Sequence, residues 1–294
     1  MTTSTSGPTD RPGHDRVGGD AIIDTSAVLA WALPGLRDLP WRSTRDPWPI
    51  LVAEVMLQQT QAPRVVPRWQ AFLARYPRPT ECAAAPLGDV LRLWQGLGYP
   101  RRARNLHRAA EVICRDHDGA VPDELGSLLA LPGVGPYTAR AVLAFAFERD
   151  VGVVDTNTAR ILARVGGRRL GPSEAQRLAD EQVPPGDGWL WNQALIDIGA
   201  RCSRPTPTCG RCPLAPSCRW HVAGHPAPDP ARGSAGVSTS QPAYEGSARQ
   251  ARGRILAALT AGEPVERPIG DPIVQGLLAD GLVVIGDAGL TLPG

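Results

Sequence analysis

The chain of 294 residues contains no lysine; all 31 of its basic residues are arginine. One class of chemistry goes with that absence, because no side-chain amine is available to form a Schiff base. Phosphate binding survives it, since arginine's planar fork grips phosphate oxygens in pairs. Long apolar runs are missing too. No stretch approaches the roughly 20 apolar residues that span a bilayer, so no membrane partner is expected. Residues 1–20 are polar and lack the apolar core of a secretory signal. There is no internal repeat, and the formal net charge is only +2, so the whole-molecule field is weak. Nothing points to an oxidising compartment, so the six cysteines are expected to be reduced thiols in a cytoplasmic protein. The length suffices for about two domains.

What the chain does have is concentrated. Cys202, Cys209, Cys212 and Cys218 are separated by six, two and five residues. Prolines and a glycine between them turn the backbone tightly, so four sulfurs can converge on one point. Converging thiolates suit a [4Fe–4S] cluster or a tetrahedral zinc. Zinc ribbons usually offer two separate Cys-x-x-Cys pairs, and only one is present, which favours the iron–sulfur cluster.

Taken in order, residues 1–20 are Thr/Ser/Gly/Pro/Asp-rich and expected to be disordered. A short helix is expected over 22–33. Leu39-Pro40-Trp41-Arg42 follows, then Asp46-Pro47, a helix start with an N-cap and a first-turn proline. The next helix, read over 50–60, is apolar on nearly every side and should be buried. Glu54 sits inside it. A carboxylate there either pairs with an arginine or is kept protonated for chemistry. Amphipathic helices are expected over 65–76 and 87–98, with Tyr99 in the glycine turn beyond. Arg101, Arg102, Arg104 and Arg108 follow; such a run reads as a solvated face or as a nucleic-acid edge.

A helix over 122–131 breaks at Pro132-Gly133-Val134-Gly135-Pro136-Tyr137-Thr138, and another starts at Pro136. A Gly-x-Gly hairpin between helices points backbone N–H groups out at a positive helix terminus, a phosphate site without side-chain charge. Asp155, in Val154-Asp155-Thr156-Asn157, is placed either to cap the next helix or to act as a catalytic carboxylate. Further helices are expected over 172–182 and 188–200. Residues 221–246 read as a linker. Helices over 247–260 and 271–280 and a hairpin over 282–292 suggest a small winged-helix-like module, although Pro264, Pro268 and Pro272 leave little room for a middle helix.

Four motifs then line up: Glu-Val-Met-Leu-Gln-Gln-Thr at 54–60, Leu-Pro-Gly-Val-Gly-Pro-Tyr-Thr at 131–138, Val-Asp-Thr-Asn at 154–157, and the cysteine loop. Together they resemble the endonuclease III superfamily of helix-hairpin-helix DNA glycosylases. Within it, 54–60 and Leu39-Pro40-Trp41-Arg42 resemble the adenine DNA glycosylase (MutY) family. The resemblance covers about 39–220. It implies an all-α, two-lobed fold: a six-helix lobe over 47–154, and a [4Fe–4S] cluster lobe combining 21–46 with 155–220. The linker at 221–246 and the module at 247–294 lie beyond it.

The implied partner is double-stranded DNA carrying adenine mispaired with 8-oxoguanine or guanine, bound by a nucleoid-associated monomer. The implied activity is base excision without β-lyase strand cleavage. Glu54 matches the family's acid and Asp155 its stabiliser of positive charge on the sugar. Gln59 and Tyr99 match the intercalating residues, Trp41 and Arg42 positions near the extruded adenine, and Tyr137 and Asn157 residues around the sugar. Gly133 and Gly135 match the hairpin, and the four cysteines the cluster ligands. Bifunctional relatives carry lysine where this chain has Tyr137.

Three departures stand out. Pro100 replaces a second aromatic, and Thr156 replaces a frequent glycine. The tail is also too short for the larger C-terminal domain with which many relatives read 8-oxoguanine.

Overall fold

The computed structural model describes residues 23–237, 243–287 and 289–294. The expected disordered tail at 1–20 lies outside the described residues, as do 238–242 of the expected linker. Helix α1 (Thr25–Ala32) opens on Asp24, whose carboxylate accepts the Ala27 amide. A 3₁₀ turn, Pro40–Arg42, leads to α2 (Pro47–Leu57), capped by Asp46 with Pro47 in its first turn. Trp48 and every residue from Ile50 to Met56 are buried, so α2 is the axis of the first lobe. Around it stand α3 (Ala62–Arg75), α4 (Pro79–Ala83), α5 (Leu87–Leu93), α6 (Arg101–Asp116), α7 (Leu125–Ala130) and α8 (Pro136–Phe145). α2 packs on α3, α6 and α8, and α4 on α6, around Phe72, Leu106, Ile113 and Leu128.

Two helices stop earlier than the sequence suggested. The one read to Thr60 ends at Leu57, and the one read to Gly98 ends at Leu93. Gly96 (φ +89°) and Gly98 (φ +71°) break the second.

α9 (Thr156–Gly166), α10 (Pro172–Glu181) and α11 (Gly188–Arg201) form a second core with α1, built on Ile161, Leu162, Trp191 and Ile198. α12 (Arg219–Val222) closes the cysteine loop. The cores meet along an extended segment: Val153 buries in the first, and Val154 packs on the second. Trp41, grouped by sequence with the cluster lobe, buries in the first core instead, edge-on to Trp69 at 6.0 Å.

The stretch read as a linker is a packed strap over 226–237. Asp229 pairs with Arg164 at 2.6 Å, the Ala235 amide donates to the Leu170 carbonyl at 2.9 Å, and Ala231 and Ser234 are buried. Small residues let this backbone lie flat on the second core, a property composition does not distinguish from looseness.

Beyond it come α13 (Ala248–Ala261), α14 (Pro272–Ala279) and an antiparallel hairpin of β1 (Val284–Gly286) and β2 (Gly289–Thr291), with Ile285 opposite Leu290. No helix forms between α13 and α14, in keeping with the prolines there. Ile255, Leu256, Val274, Leu277 and Leu282 join the first core, and the Gly88 amide donates to the Pro293 carbonyl at 2.8 Å. Among the described residues, no helix is long and apolar enough to cross a membrane.

Candidate active site

A cavity of about 520 Å³ opens where the two lobes meet. Its walls include Trp41, Arg42, Glu54, Gln59, Tyr137, Asp155 and Asn157. The first lobe supplies Glu54 from the middle of α2 and Tyr137 from the first turn of α8; the second supplies Asp155 and Asn157 from the start of α9.

Glu54 is 4% exposed and makes no ion pair in the described structure. Tyr137 Oη donates to its Oε2 at 2.8 Å. Burial pushes its carboxyl up to about 7, against the opposing pull of that hydrogen bond, with Asp155 adding to the rise and Arg42 reducing it. Near neutral pH it is therefore a carboxylic acid as often as a carboxylate.

Asp155 both caps α9 and faces the cavity. Its Oδ1 accepts the amides of Asn157 (2.9 Å) and Thr158 (2.7 Å), and its Oδ2 accepts Asn157 Nδ2 at 2.6 Å. Burial raises its pKa, while these donors favour the charged form. Asn157 Oδ1 accepts from Arg160, which also donates to the Ser203 carbonyl, both at 2.6 Å. A continuous polar chain thus runs from Asp155 to the residue beside Cys202.

Arg42 does not project freely at the cavity. Its two Nη atoms grip Asp197, wholly buried, at 2.8 and 2.9 Å, and Arg37 joins them. Burial works to raise Asp197, but the hydrogen bonds from Arg42 and Arg37 outweigh it and hold the carboxyl low.

Gln59 and Tyr99 are two of the few non-glycine residues in the left-handed region, at φ +56° and +48°. Arg102 holds both loops. Its Nη1 donates to the carbonyls of Val55, Met56 and Gln58, which α2 leaves open at its end, and its Nη2 to those of Leu97 and Gly98 and to Thr60 Oγ1. The charge run read as a solvated face or a nucleic-acid edge therefore contains one buried member, whose pKa burial pushes down to about 10. Gly133 (φ +78°) turns the hairpin, and a Cβ there would lie 2.7 Å from that of Asn105. Gly135 is the N-cap of α8 and makes no side-chain cap bond. Tyr99 and the hairpin glycines lie outside the cavity.

Residues 52–185 match the HhH-GPD superfamily of base excision DNA repair proteins. The adenine DNA glycosylase of Mycobacterium tuberculosis (strain CDC 1551 / Oshkosh) is 44% identical over 95% of this chain and 96% of that protein. The chain belongs to the adenine DNA glycosylase family. Its fold is shared by solved structures. A thermostable thymine-DNA glycosylase has a TM-score of 0.63 at 31% identity, and a trapped endonuclease III–DNA covalent intermediate 0.60 at 26%. Each covers 67% of this chain and 94% of the solved one.

In this family member the four cysteines line one small cavity with Ile161, Val165, Leu214 and Trp220. All four are free thiols. A single four-cysteine zinc would draw the sulfurs to about 3.8 Å from one another, given a Zn–S bond near 2.3 Å. Among the described residues, no three of these sulfurs lie within 4.8 Å of one another; the one group that close is Cys209, His221 and His225. The four thiols therefore share one cavity, and Cys209 also lies beside His221 and His225.

Sequence reasoning passed over Asp197, Arg160 and Gly236. Gly236 lines the active cavity from the strap, and Thr156 Oγ1 donates to its carbonyl at 2.6 Å. No local signal marks any of the three, because each acts on a residue at least three and mostly dozens of positions away.

Proposed function

We propose that this chain removes adenine mispaired with 8-oxoguanine or guanine from double-stranded DNA, as a monomeric, monofunctional glycosylase of base excision repair in the cytoplasm at the nucleoid. The buried Glu54 beside Tyr137, across one cavity from Asp155, carries the reading. Adenine leaves poorly as an anion, so a proton must reach a ring nitrogen as the bond breaks. Glu54 supplies it. The C1′–N9 electron pair departs with the base, and positive charge develops on the sugar. Asp155 faces that charge, and water then adds at C1′, giving up its proton to the Glu54 carboxylate, to leave an abasic site. The base reaches the cavity only by leaving the stack, and Gln59 and Tyr99 fill the gap it leaves. Trp41 and Arg42 flank the extruded adenine, Tyr137 and Asn157 the sugar, and the amides at Gly133 and Gly135 a backbone phosphate.

With tyrosine at 137 and no lysine in the chain, no side-chain amine attacks C1′, so the strand is left uncut. Cys202, Cys209, Cys212 and Cys218 would hold a [4Fe–4S] cluster, which fixes the loop carrying the exposed Arg204, Arg211 and Arg219 toward phosphates.

Single-turnover assays on duplexes with adenine opposite 8-oxoguanine, guanine and cytosine test the reading. Adenine release opposite the first two is expected, with strand scission only after alkali or heat. Glu54→Gln should abolish release and keep duplex binding. Release of thymine or an oxidised pyrimidine instead, or prompt strand cleavage, overturns it.

A further inference from the structure

The strap reaches the active cavity at Gly236. Just before that point it is fastened to the second lobe. Arg164 pairs with Asp229, and Arg169 donates to the Gly233 carbonyl at 2.9 Å. The Leu170 amide donates to Ser234 Oγ at 3.1 Å, and the Leu170 carbonyl accepts the Ala235 amide at 2.9 Å. Gly236 follows. Its carbonyl accepts Thr156 Oγ1 at 2.6 Å, and it lines the cavity together with Val154, Asp155, Thr156 and Asn157.

The approach is close. Gly236 has φ +78°, a left-handed backbone that favours glycine. A Cβ there would lie 3.1 Å from Ala159 Cβ and 3.5 Å from Val154 Cγ1, with the Asp155 carbonyl oxygen at 3.8 Å. The strap backbone thus packs on residues to either side of Asp155. Asp155 is the N-cap of α9, so the turn from Val154 into α9 aims its carboxylate. The cap bonds to Asn157 and Thr158 fix that carboxylate relative to α9. The bond from Thr156 to Gly236 fixes the turn relative to the strap. The four contacts made by 229–235 already dock the strap, and none of them touches this turn.

We infer that Thr156 is a positioning residue for excision: its bond to Gly236 of the strap holds the turn at Asp155, so that the carboxylate stays opposed to the charge developing on the sugar. The inference rests on the reading of Asp155 as the group that stabilises this charge. Such stabilisation is largest when the group is fixed before the charge forms, because no reorientation is then spent during the reaction. A displacement of about 1 Å can cost a rate factor on the order of 100. Thr156 stands where glycine is frequent in the family, and glycine has no hydroxyl for this bond. A strap that is only docked would serve the fold and leave the response to charge on the sugar untouched.

The full chain, Thr156→Val, Thr156→Ser and Gly236→Ala are compared in single-turnover excision of adenine opposite 8-oxoguanine. Their affinities are measured for two uncleavable duplexes, with a neutral tetrahydrofuran or a cationic pyrrolidine in place of the adenosine. Thr156→Val and Gly236→Ala should release adenine about tenfold more slowly. They should lose preference for the cationic ring by about the same factor, with affinity for the neutral ring unchanged. Thr156→Ser keeps the hydroxyl and should behave as the parent. Urea midpoints report the fold; where Gly236→Ala lowers its midpoint, the near-isosteric Thr156→Val carries the test. Parental rate and cation preference in Thr156→Val, an equal loss on both rings, or a loss in Thr156→Ser as large as in Thr156→Val overturns the inference and leaves Thr156 a docking contact. The parent's own preference for the cationic ring reads Asp155 separately. Its absence removes the charge-stabilising role of Asp155, and the inference with it, whereas its presence with unaltered variants removes Thr156 alone.

Discussion

At the scale of single residues, Glu54 ties both activity and stability to pH, and both favour the acid side. Its carboxyl is raised from 4.5 to about 7 by burial, so the native state binds a proton that the unfolded chain has already lost across that window. Stability from this group is complete below pH 4.5 and declines as pH rises to about 7, by on the order of 3 kcal/mol. Glu54→Gln should therefore be more stable than the parent by that order above pH 7, with the two converging in acid; urea titrations at several pH values check this. The excision rate should hold level in mild acid and fall about tenfold per unit well above pH 7, as the acid form is depleted. Tyr137→Phe deletes the hydrogen bond that favours the Glu54 carboxylate, so the alkaline limb of the rate profile should move to higher pH. A limb that stays put would mean that Tyr137 does not tune the acid.

At the scale of elements, Arg102 joins two loops that the sequence presents as unrelated. Six acceptors converge on its two Nη atoms. Lysine has three donors on one nitrogen and cannot span both loops. Arg102→Lys is expected to cost about 2 kcal/mol by urea unfolding, because buried carbonyls are left unmet. It should also weaken duplex binding by about tenfold, since Gln59 and Tyr99 lose the support that holds their left-handed backbone. The helix ends at Leu57 and Leu93 and the burial of Arg102 were not legible beforehand: hydropathy assigns arginine to solvent, and only the geometry of two helix ends creates a site that five carbonyls and a hydroxyl share. By contrast, the starts of α2 and α9 could be read directly, because Asp46 and Asp155 cap their own helices within three residues.

At the scale of the whole molecule, the C-terminal module is part of the first lobe's core. Deleting 243–294 should lower the urea midpoint of the remainder and promote aggregation, because the surface under Ile255, Leu256, Val274 and Leu277 is bared. An unfolding curve for the full chain that shows a separate early transition for the module would contradict this. The catalytic pair likewise depends on the whole: Glu54 belongs to one core and Asp155 to the rim of the other, so their distance is set by how the lobes meet along Val153 and Val154.

The amino-acid sequence by itself determined the residue types that do chemistry: an acid in an apolar helix, an aspartate at a helix start, four clustered cysteines, and no lysine amine. Those follow from composition and short spacing, which local physics can read. Only the tertiary structure decided their company. It buried Trp41 in the first lobe, gave Arg42 to Asp197 and laid the strap against Thr156. Contacts between residues tens to hundreds of positions apart obey packing and the pairing of buried polar groups, and neither leaves a periodic trace along the chain.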